Sequence, residues 1–372
     1  MPTTRLTAAA ALLALAATAL TVSCSRPDAP AALSGAPRGI VIDRDGVVEV
    51  LDGTTGPAHP VAGEPLGGVA ADPLSLSQVR QPASDTVAGL RDGKLIALDP
   101  AHPGTPRTIA PAGDWFPDAA STGAWTVTQS PDLGVCPAIP GTSAGTVRYR
   151  VEHFRLRDGA VLDAARYLPC RQRPAADTAA GLLVETLHPQ AEPSGNGSTV
   201  LADVQLIDRK DLRTLRTVQA DATLLDAAGE TVLAFQQKCD RSDCVKAIGL
   251  TSGNQPKIGP LPNGGFLAGA GIMDLSGRYF ASAAVSPDGS LNLVVCDLKS
   301  GTVRTLGTYA SLIPGAPRDI EEDMPSAWSG SRLITANPQD GTLATYDAVS
   351  GRTETRSGLS TEGNLQVWGA QG

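Results

Sequence analysis

The sequence predicts an all-β protein built from one repeated unit of short strands. From residue 38 to the end, runs rich in Val, Ile, Leu and Thr are bounded by Gly, Pro, Asp and Ser, at a spacing typical of all-β folds. No stretch has a sustained helical period with capping residues at its ends. The 40 Gly and 29 Pro residues are enough to supply turns for many short strands.

The clearest copy of the unit runs from Gly277 to Leu306. Its predicted order is strand, turn, strand, turn and strand, over Arg278–Val285, Ser286–Gly289, Leu291–Asp297, Lys299–Gly301 and Thr302–Leu306. Each strand is short and rich in β-branched or apolar residues, and each turn contains Gly. A unit of this kind pairs as an antiparallel meander, because each turn is too short for a crossover.

The turn after the third strand is the best marker for counting the units. It recurs at Asp52-Gly53, Asp99-Pro100, Arg157–Gly159, Asp208-Arg209, Thr251–Gly253, Lys299–Gly301 and Val349–Gly351. The gaps of roughly 40 to 60 residues fit one four-stranded propeller blade each. The sequence therefore predicts a single seven-bladed β-propeller of four-stranded antiparallel blades over residues 38–372.

Two segments resemble a known blade repeat. The turn Ser286-Pro287-Asp288-Gly289 followed by Asp297–Val303, and the second copy Thr345–Arg352, are similar to the repeat of bacterial WD40-like propellers of the TolB and YVTN type. The resemblance implies a propeller over nearly the whole mature chain. It does not specify an activity, because such propellers serve as scaffolds, as ligand binders and, less often, as enzymes.

The two ends of the chain are expected to share one blade. Gly39–Asp43 and Val47–Leu51 look like the second and third strands of the first blade. Its innermost strand is predicted to come from Leu365–Trp368 at the far end. Such a clasp would remove an open sheet edge and tie the termini together.

The N-terminus predicts export and a lipid anchor. Arg5 precedes the apolar run Ala8–Val22, which is typical of a secretory signal. The end of the run, Leu20–Cys24, resembles a bacterial lipobox and implies cleavage after residue 23 and acylation, with palmitate, of Cys24. Residues 24–37 are predicted to be a flexible tether. The expected location is the extracytoplasmic face of the bacterial cell membrane, held by the lipid alone. The alternative is a plain secretory signal with a chance Cys.

The cysteines after the tether fit an oxidising compartment. Cys136 and Cys170 are expected on the same face of the third blade, and we predict a disulfide between them. Cys239 and Cys244 are predicted to close a tight hairpin loop. A metal site made of these two Cys with Asp240 and Asp243 is the weaker alternative, because zinc pairs use closer Cys spacing. Cys296, within a strand, is expected to be a buried thiol.

Three long loops predict where binding occurs. In propeller topology the loops between second and third strands emerge on one face, together with the connections between blades. Three of them are elaborated in successive blades, at Ser130–Gly145, His188–Ser198 and Lys238–Cys244, and long loops on a rigid scaffold often carry function. The candidate binding residues on this face are Asp240, Asp243, Glu321, Glu322 and Asp323. The alternative is that these loops are neutral insertions.

The sequence offers little for catalysis. The net charge of −8 argues against a nucleic-acid partner. The four His residues, His59, His102, His153 and His188, are not spaced to bind one metal together. The G-x-S-x-G match at 141–145 lacks the strand before it and the helix after it that a nucleophile elbow needs. No cofactor, metal or catalytic residue is predicted.

The function expected from these observations is non-enzymatic. The chain is predicted to be a monomeric surface scaffold that binds an unidentified protein partner or ligand through its elaborated face. The alternative is a propeller hydrolase of the lactonase kind, with polar groups around the central channel. Channel-lining residues would distinguish the two, because an enzyme needs converging carboxylates, His or a metal there.

Overall fold

The computed structural model describes residues 39–44, 47–52, 59–60, 86–98, 107–129, 136–139, 147–189, 200–239, 244–262, 264–308, 326–337, 342–356 and 365–368. These residues form 26 strands and no helix, which confirms the all-β prediction. Within the same ranges no helix has the length and apolar character needed to cross a membrane.

The strands pair into seven antiparallel sheets, numbered here along the chain. Sheet 1 contains β1 (Gly39–Arg44), β2 (Val47–Asp52), β3 (His59–Pro60) and the last strand, β26 (Leu365–Trp368). Sheet 2 contains β4 (Val87–Arg91), β5 (Lys94–Leu98) and β6 (Arg107–Pro111). Sheet 3 contains β7 (Asp114–Pro117), β8 (Gly123–Gln129), β9 (Tyr149–Arg155) and β10 (Val161–Tyr167).

The remaining sheets are meanders of consecutive strands. Sheet 4 contains β11 (Gln172–Thr178), β12 (Gly181–Pro189), β13 (Val200–Ile207) and β14 (Thr214–Gln219). Sheet 5 contains β15 (Ala222–Ala228), β16 (Thr231–Gln236) and β17 (Val245–Gly249). Sheet 6 contains β18 (Phe266–Met273), β19 (Tyr279–Val285), β20 (Leu291–Asp297) and β21 (Thr302–Thr308). Sheet 7 contains β22 (Ser326–Ser329), β23 (Arg332–Asn337), β24 (Thr342–Asp347) and β25 (Thr353–Arg356).

The repeated turn after the third strand has a local physical cause. In sheet 6, Asp297 at the strand end accepts a hydrogen bond from the backbone N–H of Lys299 at 3.0 Å. Gly301 then adopts a φ of +71°, and a Cβ there would lie 2.9 Å from the carbonyl oxygen of Lys257. An Asx turn followed by a left-handed Gly is therefore required at this position. This turn after the third strand is the marker that was used to count the repeated units.

The hydrophobic core lies between consecutive sheets rather than at one centre. One cluster joins sheets 2 and 3 around Trp115, and another joins sheets 3 and 4 around Trp125. Further clusters join sheets 4 and 5, sheets 5 and 6, and sheets 6 and 7 around Trp328. These three tryptophans pack between sheets, because a sheet buries its two faces only against its neighbours.

The first strands of successive sheets contact one another. The pairs are β7 with β11, β11 with β15, β15 with β18, β18 with β22 and β22 with β26. The predicted clasp between the two ends of the chain is confirmed. β26 pairs antiparallel with β1, from Arg44 opposite Leu365 to Val41 opposite Trp368.

Two sheets have three strands, where the repeat predicts four. In sheet 5 the segment after β17 is described but forms no strand. This segment contains Pro256, Pro260 and Pro262, which have no backbone N–H to donate to a ladder. In sheet 2 the residues that precede β4, numbers 61–85, lie outside the described part of the chain.

Candidate functional site

The predicted loop face gains two covalent supports in the structure. We use the name loop face for the edge where connections between second and third strands, and between sheets, emerge. Cys136 lies between β8 and β9, and Cys170 follows β10. Their Cα atoms are 5.6 Å apart and they form a disulfide. The Cys136 side chain is buried, as is Ile139 beside it. The cross-link therefore holds part of the long β8–β9 connection against the outer edge of sheet 3.

The second cysteine pair closes the hairpin between β16 and β17. Cys239 and Cys244 form a disulfide with their Cα atoms 5.3 Å apart. The backbone N–H of Gln236 also donates to the carbonyl oxygen of Cys244 at 2.7 Å. Both predicted pairs are thus at disulfide distance, and Cys296 is a free, buried cysteine. Burial raises the pKa of the Cys296 thiol to about 12, which makes it a poor nucleophile.

Between the disulfides lies a polar cluster that joins sheets 4 and 5. His188 Nε2 is 3.1 Å from Asp203 Oδ1 and 3.6 Å from Asp221 Oδ1. Lys238 Nζ is 3.1 Å from the other carboxylate oxygen of Asp221, Oδ2. The three side chains of His188, Asp203 and Asp221 offer ligand atoms within 4.8 Å of one another. All three are partly exposed, so solvent reaches them.

Strand register explains why these distant residues meet. His188 pairs with Leu201 and Asp203 pairs with Thr186 across β12 and β13, so the two side chains are diagonal neighbours on one side of the sheet. Asp221 immediately precedes β15, and its backbone N–H donates to Asp203 Oδ1 at 2.9 Å. A sequence search for paired His residues misses this cluster. The available signal was that His188 and Lys238 each open a predicted loop on the same face.

A second histidine cluster lies at the opposite edge of sheet 3. His153 Nε2 is 3.1 Å from Asp118 Oδ2 and its Nδ1 is 3.1 Å from Asp163 Oδ2. The imidazole stacks on Trp125, with ring centroids 4.5 Å apart and planes within 7°. Burial opposes charge on this ring, but the hydrogen bonds with the two carboxylates outweigh it and raise the pKa of His153. The ring therefore links β9 to two carboxylates that favour its protonated form.

The first strands of sheets 3, 4 and 5 line a cavity of about 510 Å³. Its one lining cation is Arg173, which makes no hydrogen bond or ion pair with any described residue. Its lining carboxylates are Asp114, Asp118, Asp177, Glu185 and Asp226. Converging carboxylates are one of the features expected of a propeller enzyme with its site at the central channel.

Most of these carboxylates are occupied in holding neighbouring sheets together. Glu185 accepts from the backbone N–H of Leu224 in sheet 5 at 2.7 Å, and burial raises the pKa of Glu185. Asp226 accepts from the N–H of Met273 in sheet 6 at 2.7 Å. Asp177 accepts from the indole of Trp125 in sheet 3 at 3.1 Å. Asp177 and Asp226 use both carboxylate oxygens in hydrogen bonds, whereas the contact of Glu185 uses Oε1.

Several predicted site residues fall outside the described part of the chain. They are Cys24, Asp240, Asp243, Glu321, Glu322 and Asp323, with the signal segment 1–23 and the tether 24–37. Lipidation and binding by these residues stay predictions.

Comparison with solved structures identifies the architecture. The acylaminoacyl peptidase of Pyrococcus horikoshii aligns over 86% of this chain and 50% of its own, with a TM-score of 0.54 and 12% identity. The chain has a β-propeller fold. An acylaminoacyl peptidase in complex with Z-Gly-Gly-Phe-chloromethyl ketone gives a TM-score of 0.56 at 12% identity, over 85% of this chain and 49% of that one. The chain thus spans about half the length of these two peptidases.

An oligogalacturonate lyase in complex with manganese has a similar fold. Its TM-score is 0.50 at 12% identity, over 83% of this chain and 81% of that one. No protein-family model and no curated protein sequence matches the chain. Likeness at this level of identity establishes the propeller and leaves the function to the site.

Proposed function

We propose that this chain is a non-enzymatic, seven-bladed propeller that binds a protein partner or ligand through its loop face. Lipid on Cys24 holds it at the extracytoplasmic face of a bacterial membrane. The observation that carries the proposal is the placement of the two cysteine pairs. They support connections on the same face of sheets 3 and 5, on either side of sheet 4, and a pre-organised loop loses less conformational entropy when it binds.

The blade count is supported by the sheet topology. Seven antiparallel sheets follow one another among the described residues, and sheet 7 packs against sheet 1 through β22 and β26. Apolar clusters join each pair of consecutive sheets from sheet 2 to sheet 7, as they do between blades. The strand shared between the chain ends closes such a ring.

The second candidate is a hydrolase with its site at the central channel. It is favoured by the 510 Å³ cavity and the exposed Arg173 on its wall. Against it, Glu185, Asp177 and Asp226 are committed to hydrogen bonds between sheets.

The role of the loop face is tested by shortening one of its loops. The chosen deletion keeps the polar cluster and both disulfides. Residues 190–198 are replaced by Asp-Gly, and wild type and variant are used as bait on envelope extracts. We expect the variant to keep the wild-type melting temperature and to lose the partners that the wild type recovers. The matched control is Lys299→Ala with Ser300→Ala, on the opposite-face turn, which should recover them all. Equal recovery by all three proteins would refute a role for this face.

The lipid anchor is tested separately at Cys24. Cys24→Ala should abolish incorporation of a palmitate analogue and release the protein from the membrane fraction, because the thiol is the only atom available for thioether formation there. Cys296→Ala is the matched control, since that thiol is buried and its loss should leave labelling unchanged. Labelling that persists in Cys24→Ala would overturn the proposed anchor.

A further inference from the structure

The cluster of His188, Asp203 and Asp221 brings three metal-ligating atoms within 4.8 Å of one another, close to the spacing of a metal site. Bonds of about 2.1 Å to one ion place neighbouring ligand atoms about 3.0 to 3.4 Å apart. The Nε2 atom of His188 lies 3.1 Å from Asp203 Oδ1 and 3.6 Å from Asp221 Oδ1. Among the described residues these are the side chains whose donor atoms converge on one point in this way.

The orientation of the imidazole provides a second, independent observation. His188 Nδ1 faces the carbonyl oxygen of Pro189 at 3.4 Å. Without an ion, a proton on Nε2 lets His188 donate to Asp203 Oδ1 at 3.1 Å. An ion bound at Nε2 would displace that proton and leave the Nδ1 proton directed at the carbonyl oxygen of Pro189. A backbone carbonyl on the remote nitrogen is also the usual way in which a metal-binding His is oriented.

The surrounding contacts fix the two carboxylates. Asp203 Oδ1 accepts the backbone N–H of Asp221, which sets the spacing between sheets 4 and 5. Lys238 contacts Asp221 through Oδ2, so Oδ1 of that carboxylate is left facing His188. The backbone carbonyl of Asp221 in turn accepts the N–H of Gln237 at 2.7 Å. The ligand atoms are therefore held by hydrogen bonds from both sheets before any ion arrives.

We propose that His188, Asp203 and Asp221 bind one divalent first-row transition ion, of which Zn²⁺ is the reference case, with solvent completing the coordination. One imidazole nitrogen and two carboxylate oxygens suit such an ion better than Mg²⁺ or Ca²⁺, which prefer oxygen ligands alone. The partial exposure of all three side chains leaves room for water on the open side. Bound there, the ion would cross-link sheets 4 and 5 at the base of two predicted binding loops.

His153 shows what a structural histidine looks like in the same protein. It also contacts two aspartates, but through opposite ring nitrogens. Both nitrogens then act as donors, and no lone pair is left for a metal. The contrast supplies a matched control, because the residue types are the same and only the convergence of donor atoms differs.

The proposal is tested by metal titration of the purified full-length protein after treatment with a chelator. Isothermal titration with Zn²⁺ should give one site per chain that Mg²⁺ at the same concentration does not fill, and Co²⁺ should give visible d–d absorption. His188→Gln and Asp203→Asn should each weaken Zn²⁺ binding by about tenfold or more. His153→Gln should bind as the wild type does. Zn²⁺ should also raise the melting temperature of the wild type and leave that of His188→Gln unchanged.

The outcomes separate the possibilities. Absence of a Zn²⁺ site in the wild type would overturn the proposal and leave His188 as a hydrogen-bonding partner of Asp203. Binding that survives in both His188→Gln and Asp203→Asn would place the ion elsewhere and also overturn it. Asp221→Asn, which keeps the side-chain size, provides a further variant if Asp203→Asn fails to fold. None of these measurements uses a partner, so their result is independent of the proposed loop-face function.

Discussion

His153 is the residue whose chemistry depends most on its neighbours. Its two ring nitrogens contact Asp118 and Asp163, and its flat face lies on Trp125. Only the doubly protonated ring donates to both carboxylates, so these contacts favour the charge. Its pKa is raised although burial acts in the opposite direction. The side chain therefore couples the stability of sheet 3 to pH.

We expect this coupling to appear as a loss of stability on the alkaline side. A raised pKa in the folded state stabilises the fold fully below the ordinary value of about 6.5. The contribution is lost as the pH rises through the raised value. The free energy of unfolding, measured by urea titration from pH 6 to pH 9, should therefore fall more steeply for wild type than for His153→Gln. Parallel curves for the two proteins would contradict the assignment.

At the scale of elements, the two disulfides act on connections of different length. Cys136 and Cys170 are 34 residues apart in sequence, and Cys239 and Cys244 are five apart. A cross-link restricts the unfolded chain more strongly when it closes a longer loop. The first pair restrains the long β8–β9 connection, and the second pair restrains only one hairpin.

The loss of unfolding free energy is expected to differ about twofold between the two disulfides. Replacing Cys136 and Cys170 together by Ala should lower the free energy of unfolding by about 4 kcal/mol, and replacing Cys239 and Cys244 by about 2 kcal/mol. Urea unfolding of the two double variants, each under oxidising and reducing conditions, measures both values. Under reducing conditions all cross-links are lost, so the wild type and both variants should converge on one lower value. A larger loss for the short loop would show that packing, rather than loop entropy, dominates.

At the scale of the whole molecule, the clasp joins the first and last sheets. β26 supplies the fourth strand of sheet 1 and packs against β22 and β23 of sheet 7. Without it, β1 would present an unpaired edge, and sheet 1 would lose its described contact with sheet 7. Open edges of this kind favour unfolding and aggregation.

We therefore expect a C-terminal truncation to lower stability only when it removes β26. Deleting residues 365–372 should lower the melting temperature by about 5 °C or more and increase backbone hydrogen exchange in sheets 1 and 7. A protein that lacks only residues 369–372 keeps all four described pairs between β26 and β1 and should melt as the full chain does. Equal melting of both truncations would mean that the ring is closed by other contacts.

Much of this organisation could be predicted because it depends on contacts between residues that are close in sequence. Asp297 and Gly301 make their turn with neighbours in the same segment, so the repeat is visible without the fold. The cysteine pairs followed from the same strand register. Sheet 5 departs from the repeat for a reason that is also local, since the prolines after β17 cannot donate to a ladder.

The sequence by itself determined the all-β class, the position of the repeated turns, the strand shared by the two ends and the cysteine pairing, because each depends on short-range turn geometry or strand order. Only the tertiary structure decided which polar groups meet. Asp226 bonds to Met273 47 residues away, and His188 faces Asp221 across two sheets. Such contacts depend on how neighbouring sheets pack and twist, which no spacing along the chain encodes.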